Sequence, residues 1–153
     1  MTRSQRMAKH IQRTVKGPMW HGAALGPLLE RITDVQASAR PIPNAHTIWE
    51  IVLHVSAWAE IARARLAGQR TGDATPDEDW PPAGTGADAW QRTVERLAAS
   101  HNALAGDVRD LTEEALASSI HELDYTVEVL LDGVVEHGTY HGGQIALLRK
   151  ALG

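Results

Sequence analysis

Apolar residues recur every three to four positions along most of this chain, and no run of strict apolar–polar alternation suggests a strand. The pattern predicts an all-α protein. A first helical region is expected from about Pro18 through "GPMWHGAALGPLLERITDVQAS", broken or restarted at Gly26-Pro27. Residues 3–16 read as a further short helix or an N-terminal arm, and the two prolines of "ARPIPNAH" end the first element. The second helix has the clearest start. Thr47 and Glu50 form a T-x-x-E capping box, and Ile48, Ile51, Val52, Val55, Trp58, Ala59, Ala62 and Leu66 follow at helical spacing up to Gly68.

Residues 68–86 hold four glycines and three prolines and read as a loop. A connection of this length can cross the height of a bundle, which allows the helices it joins to run parallel. A third helix is expected over about 87–105, with Trp90, Val94, Leu97 and Leu104 inside. A second long connector over 106–125 carries a short helix after the N-cap candidate Thr112. A fourth helix runs from about Thr126 to Leu152. Four main helices and long crossover connections predict a four-helix bundle in one domain spanning 1–153.

Composition narrows the function. The 153 residues include no cysteine, which removes disulfides, thiolate nucleophiles and cysteine-rich zinc modules. Net charge is −4, and the one basic cluster (Arg3, Arg6, Lys9, Arg13, Lys16) reads as a solvated helix face, so no nucleic-acid partner is expected. No segment approaches the roughly 20 apolar residues of a membrane span, and the first residues lack the apolar run and cleavage site of a secretory leader. The expectation is a cytoplasmic protein without a membrane partner. Apolar positions left over on helices one and three could serve a homodimer.

The candidate chemistry lies in "EHGTYHGGQ", residues 136–144. At about 100° per residue, His137 and His141 fall about 40° apart, inside the stripe that also holds Leu130, Val134, Ile145 and Leu148. A lone histidine on such a face is ordinarily a satisfied core residue. Two at i and i+4 emerge one turn apart on the same side and suit a shared cation. His54, at the margin of the second helix's stripe, can point across the core to complete a three-histidine metal set. Gln144, Tyr140 and His21 are the candidates for further pocket residues. Gly133 leaves room beside the histidines, while Gly138 and Gly142 point elsewhere and permit close helix packing. No carboxylate falls within either stripe, so a general base would come from Asp77, Glu78 or Asp79 in the long loop, or from the substrate.

The segments "PNAHTIWEIVLHVSAWAEIARARLAG" and "YTVEVLLDGVVEHGTYHGGQIALLRKAL", with their paired H-x3-W and H-x2-Y-H-x2-Q-I motifs, resemble the DinB-like (DinB/YfiT-type) superfamily of metalloenzymes. The resemblance covers roughly residues 18–152. It implies an up-down-down-up four-helix bundle whose three metal-binding histidines map onto His54, His137 and His141. It also implies a divalent cation, zinc or nickel, and a small-molecule substrate, with low-molecular-weight thiols used by characterised members. The expected function is therefore a metal-dependent enzyme, specifically a small-thiol-dependent S-transferase. The alternatives are a metal-dependent hydrolase and a non-catalytic metal- or ligand-binding stress-response protein.

Overall fold

Threonine oxygens set most of the helix starts. Thr2, Thr33, Thr47, Thr75, Thr112 and Thr126 each accept a backbone N–H of the first turn they precede. Gln5, Gln36, Glu50 and Glu78 return the bond to four of them, which satisfies donors that a helix otherwise leaves unpaired. The computed structural model describes all residues, Met1–Gly153. It contains α1 (Arg3–Lys16), α2 (Leu25–Leu29), α3 (Asp34–Ser38), α4 (Ile48–Leu66), α5 (Pro76–Asp79), α6 (Ala87–Val108), α7 (Glu113–Ala117) and α8 (Val127–Leu152).

The four long helices are α1, α4, α6 and α8, and each of the pair α1 and α4 packs against both α6 and α8. Contacts along their lengths give the directions. Near the start of α1, Ser4 donates to the Arg109 carbonyl just past α6 (3.1 Å), so these two helices are antiparallel. Trp49 and Arg63, early and late in α4, bond Thr93 (2.9 Å) and Asp107 (2.5 Å), early and late in α6, so this pair is parallel. Arg65, at the end of α4, reaches Tyr125 just before α8 (2.7 Å), and α8 therefore returns antiparallel. The order is up-down-down-up.

One expectation needs correcting. Residues 3–16, expected as a short helix or an arm, form the first bundle helix, the place expected for the stretch after Pro18, because Met7, Ile11 and Val15 bury one stripe while Arg3, Arg6, Lys9 and Lys16 stay exposed. The stretch after Pro18 supplies only the short α2 and α3. Gly26-Pro27, where a break was expected, lies inside α2, and the stretch divides instead at residues 30–33, where Arg31 takes a positive φ and a capping box of Thr33 with Gln36 starts α3. Likewise the 68–86 loop contains α5, which begins at Pro76 after Thr75.

The core has two apolar clusters. One gathers Trp49, Ile51, Leu97 and Ile145, and the other Ile11, Leu104, Leu131 and Val134. Between them the sequence turns polar at one level on all four helices: Thr14 on α1, His54 and Ser56 on α4, Ser100 and His101 on α6, and His137 and His141 on α8. The hydroxyls of Thr14, Ser56 and Ser100 bond carbonyls of their own helices, which removes most of the cost of burying them.

Gly138 lets α1 approach α8 in this layer, since a Cβ there would collide with the Thr14 side chain. Gly133, one turn earlier, faces open space, and a Cβ would meet nothing within 4 Å. The two therefore respond oppositely to alanine. Gly138→Ala is expected to destabilise the fold by about 1–3 kcal/mol through overpacking, and Gly133→Ala to stabilise it by up to about 1 kcal/mol through helix propensity. Urea unfolding of both variants measures the difference, and equal shifts would contradict this packing.

Candidate metal centre

On α4, Trp58 lies about 40° and Arg65 about 20° from His54 around the helix axis, so the three share one face at successive heights. The antiparallel pairing of α4 with α8 brings that face opposite His137 and His141. The three imidazoles then meet. Their ring centroids are 4.5–4.7 Å apart and the rings stand at 65–86° to one another. The His54 and His137 Nε2 atoms are 2.9 Å apart, and one ring nitrogen from each residue lies within 4.8 Å of the others.

The outer nitrogens explain which atoms face inward. His54 Nδ1 donates to the Asp79 carbonyl (2.5 Å), with the Asp79 carboxylate at 3.3 Å. His141 Nδ1 donates to Gln144 Oε1 (2.6 Å). Because carbonyl oxygens only accept, each bond places the proton on Nδ1 and leaves Nε2 with a free lone pair. Asp79 is itself fixed by Trp58 Nε1, which donates to Oδ1 (2.7 Å). The loop carrying it is held by an ion pair between Arg70 and Glu78 (2.8 Å). Trp80 stacks on His54 (centroids 3.8 Å, 3°) and on His46 (3.5 Å, 8°), closing one side of the cluster.

Electrostatics keep the rings neutral. Burial, then the positive charge that His141 and His54 would carry, lowers the His137 pKa from 6.5 to about 3. Burial also lowers His54 and His141, opposed in part by Asp79 and Gln144 respectively. Neutral, inward-facing nitrogens are what a cation requires. Two nitrogens at 2.0–2.1 Å from a tetrahedral ion stand roughly 3.3 Å apart, close to the His54–His137 separation. The residues present fit a divalent metal.

A cavity of about 410 Å³ opens against His54 and His137. Trp58, Leu130 and Val134 form apolar wall, Asp79 is its one carboxylate, and Arg65 and Tyr125 also line it. Gly133 borders the space, as its position on the wheel implies.

The other expected residues distribute unevenly. Gln144 orients His141. Tyr140 lies outside the cavity, 66% exposed, with its ring edge-on to His141 (5.0 Å) and its hydroxyl accepting from Gln144 (3.4 Å). His21 is exposed and borders a separate crevice beside Thr14 and Gly138, so it does not join the cluster. Of the loop acids, only Asp79 reaches the site, because Glu78 is committed to Arg70 and Thr75. Sequence reasoning missed Trp80, Arg65 and Tyr125. Arg65 was detectable, as a charged residue eleven positions after His54 on the face that buries it; Trp80 sat in a loop whose path no periodicity reveals.

No helix of the protein is long and apolar enough to cross a membrane. No curated protein and no solved structure matches the sequence. The family model of the DinB superfamily matches residues 20–145, from the turn before α2 to the turn of α8 after His141. With most of its length matched, and with an all-helical bundle of the corresponding kind, this chain belongs to the DinB superfamily.

Proposed function

We propose that the protein is a divalent-metal-dependent enzyme, with His54, His137 and His141 as ligands and zinc or nickel as the ion. The observation that carries this reading is the inward convergence of three neutral imidazoles, two with their outer nitrogens committed to carbonyl acceptors. Neither feature is needed to fill a core. Three protein ligands leave coordination positions free, and the cavity lies against two of the three ligands.

The ion would supply Lewis acidity, lowering the pKa of a bound acid such as a thiol or water. The surrounding residues have separable tasks. Asp79 holds the His54 tautomer with its carbonyl, and its carboxylate, the one among the residues that line the cavity, is the group assigned to take up the proton that a thiol gives up. Gln144 holds the His141 ring, and Trp58 and Trp80 keep water from the imidazoles. The specific reaction proposed is S-transfer from a low-molecular-weight thiol: its sulfur forms a bond to an electrophilic carbon, whose leaving group departs. The apolar wall beside the centre favours an organic co-substrate.

Untagged protein is expected to carry about one zinc or nickel ion per chain by elemental analysis, and His137→Ala to carry none. Gln144→Leu should weaken metal affinity about 10- to 100-fold while leaving the fold intact, as loss of a ligand's orienting partner typically does. Metal-loaded protein given a thiol panel and a chlorodinitrobenzene should turn over only with thiol. Turnover unchanged on omitting thiol would exclude the transferase in favour of hydrolysis.

Acid sensitivity follows from the same burial. Unfolded histidines take up protons near pH 6.5, whereas folded His137 resists until about 3. Falling pH therefore protonates the unfolded state first, and stability declines through that interval. The urea midpoint of metal-free protein should drop from pH 7 to pH 5, less steeply in His137→Leu. A level midpoint would contradict the buried, neutral ring.

A further inference from the structure

Arg65 is the one feature of the cavity that neither the fold nor the metal centre accounts for. It is 7% exposed, yet its guanidinium makes no ion pair. Arg3, Arg40, Arg63, Arg70 and Arg96, all more exposed, each have a carboxylate partner. Of its five N–H groups, one bonds the Tyr125 hydroxyl (2.7 Å) and one the Gly72 carbonyl (3.3 Å). Its buried Nε has no partner. The carbonyls ending α4 favour a cation in this last turn, and the Trp58 ring, 5.5 Å from Cζ, adds a cation–π contact. Both are neutral partners, and no carboxylate stands within ion-pair distance of the guanidinium.

Position gives this charge a use. Arg65 and the histidines line one cavity. Trp58 lies between them, 6.2 Å from the His137 ring and 5.5 Å from the Arg65 Cζ, so the guanidinium is within about 12 Å of the centre. The wall along that path includes Leu130 and Val134. The space has a metal-ligating end with Asp79 beside it, a largely apolar middle and a cationic end without an ion pair, and its volume is in the lower part of the ~300–1,000 Å³ range of small-molecule sites.

We infer that Arg65 receives the anionic end of the substrate, an elongated amphipathic carboxylate whose opposite, reacting end lies at the three histidines. This specifies the organic co-substrate of the reaction proposed above and rests on that reading for the position of the reacting end. The planar guanidinium matches a carboxylate. Tyr125, which lines the same cavity and accepts from the guanidinium through its hydroxyl, acts as a positioning residue for Arg65.

The test is calorimetric titration of the zinc-loaded full-length protein with hexanoate and with hexan-1-ol, which share a chain and differ in charge. Hexanoate is expected to bind at least tenfold more tightly. Arg65→Met should bring the two ligands within about twofold of each other with zinc content unchanged, while Arg65→Lys keeps the preference for the acid. Gly133→Leu, which fills the cavity, should weaken both ligands. Equal binding by wild type overturns the inference whether or not Arg65→Met folds. A preference that survives Arg65→Met also overturns it, because the carboxylate then sits on the zinc. Hexyl phosphate binding tenfold more tightly than hexanoate would overturn the carboxylate assignment. Failure of the metal centre reads out separately as absent zinc, and the Arg65-dependent preference then stands or falls on the metal-free chain.

Discussion

Burying three imidazoles at one point is the constraint on which this structure turns. Each ring has two nitrogens that need partners, and the interior disfavours the protonated form that could donate from both. Asp79 and Gln144 satisfy the outer nitrogens of His54 and His141. The inner nitrogens converge on one another, with a single 2.9 Å approach between His54 and His137. Neutral imidazoles can share at most one proton along that contact, so lone pairs remain, and a cation satisfies them together. The polar layer that interrupts the two apolar clusters makes this arrangement possible and gives it a fixed depth in the bundle.

Topology does the rest of the positioning. The long connection after α4 lets α4 and α6 descend side by side, and α8 then returns antiparallel to α4, which sets residue 54 level with residues 137 and 141. The same connection is not slack. Its capped turn at Thr75 and the Arg70–Glu78 pair hold Asp79 and Trp80 against His54. A loop that solves a crossover problem thereby also supplies the support of the site. The cavity follows from the small residue at 133 and from the side chains that line α4 beyond His54.

Much of this was legible in the sequence, for identifiable reasons. The bounds of α4 follow from the Thr47–Glu50 box and Gly68, and the histidine pair from its four-residue spacing within an apolar stripe. The glycine roles at 133 and 138 follow from their angles on the wheel. His54 was placed as the third ligand by its position at the margin of the α4 stripe, and resemblance to the superfamily, since shown over residues 20–145, reinforced it and supplied the helix order. What escaped was set by tertiary context. Met7, Ile11 and Val15 are three apolar positions among many charges, too sparse to mark α1 as a bundle helix until α6 and α8 cover them. Trp80 and Asp79 reach the histidines through loop geometry, which no periodicity encodes. Arg65 reads as an ordinary basic residue near a helix end unless its angle relative to His54 is taken into account.

The central claim concerns the coordination of one ion by residues from two helices. X-ray absorption spectroscopy of the zinc-loaded, untagged protein tests it most directly. The account predicts a first shell of nitrogen and oxygen at about 2.0–2.1 Å, with outer-shell scattering that fits three imidazoles, and loss of the bound zinc in His54→Ala. A spectrum without outer-shell imidazole scattering, or zinc kept with an unchanged spectrum in that variant, would contradict it.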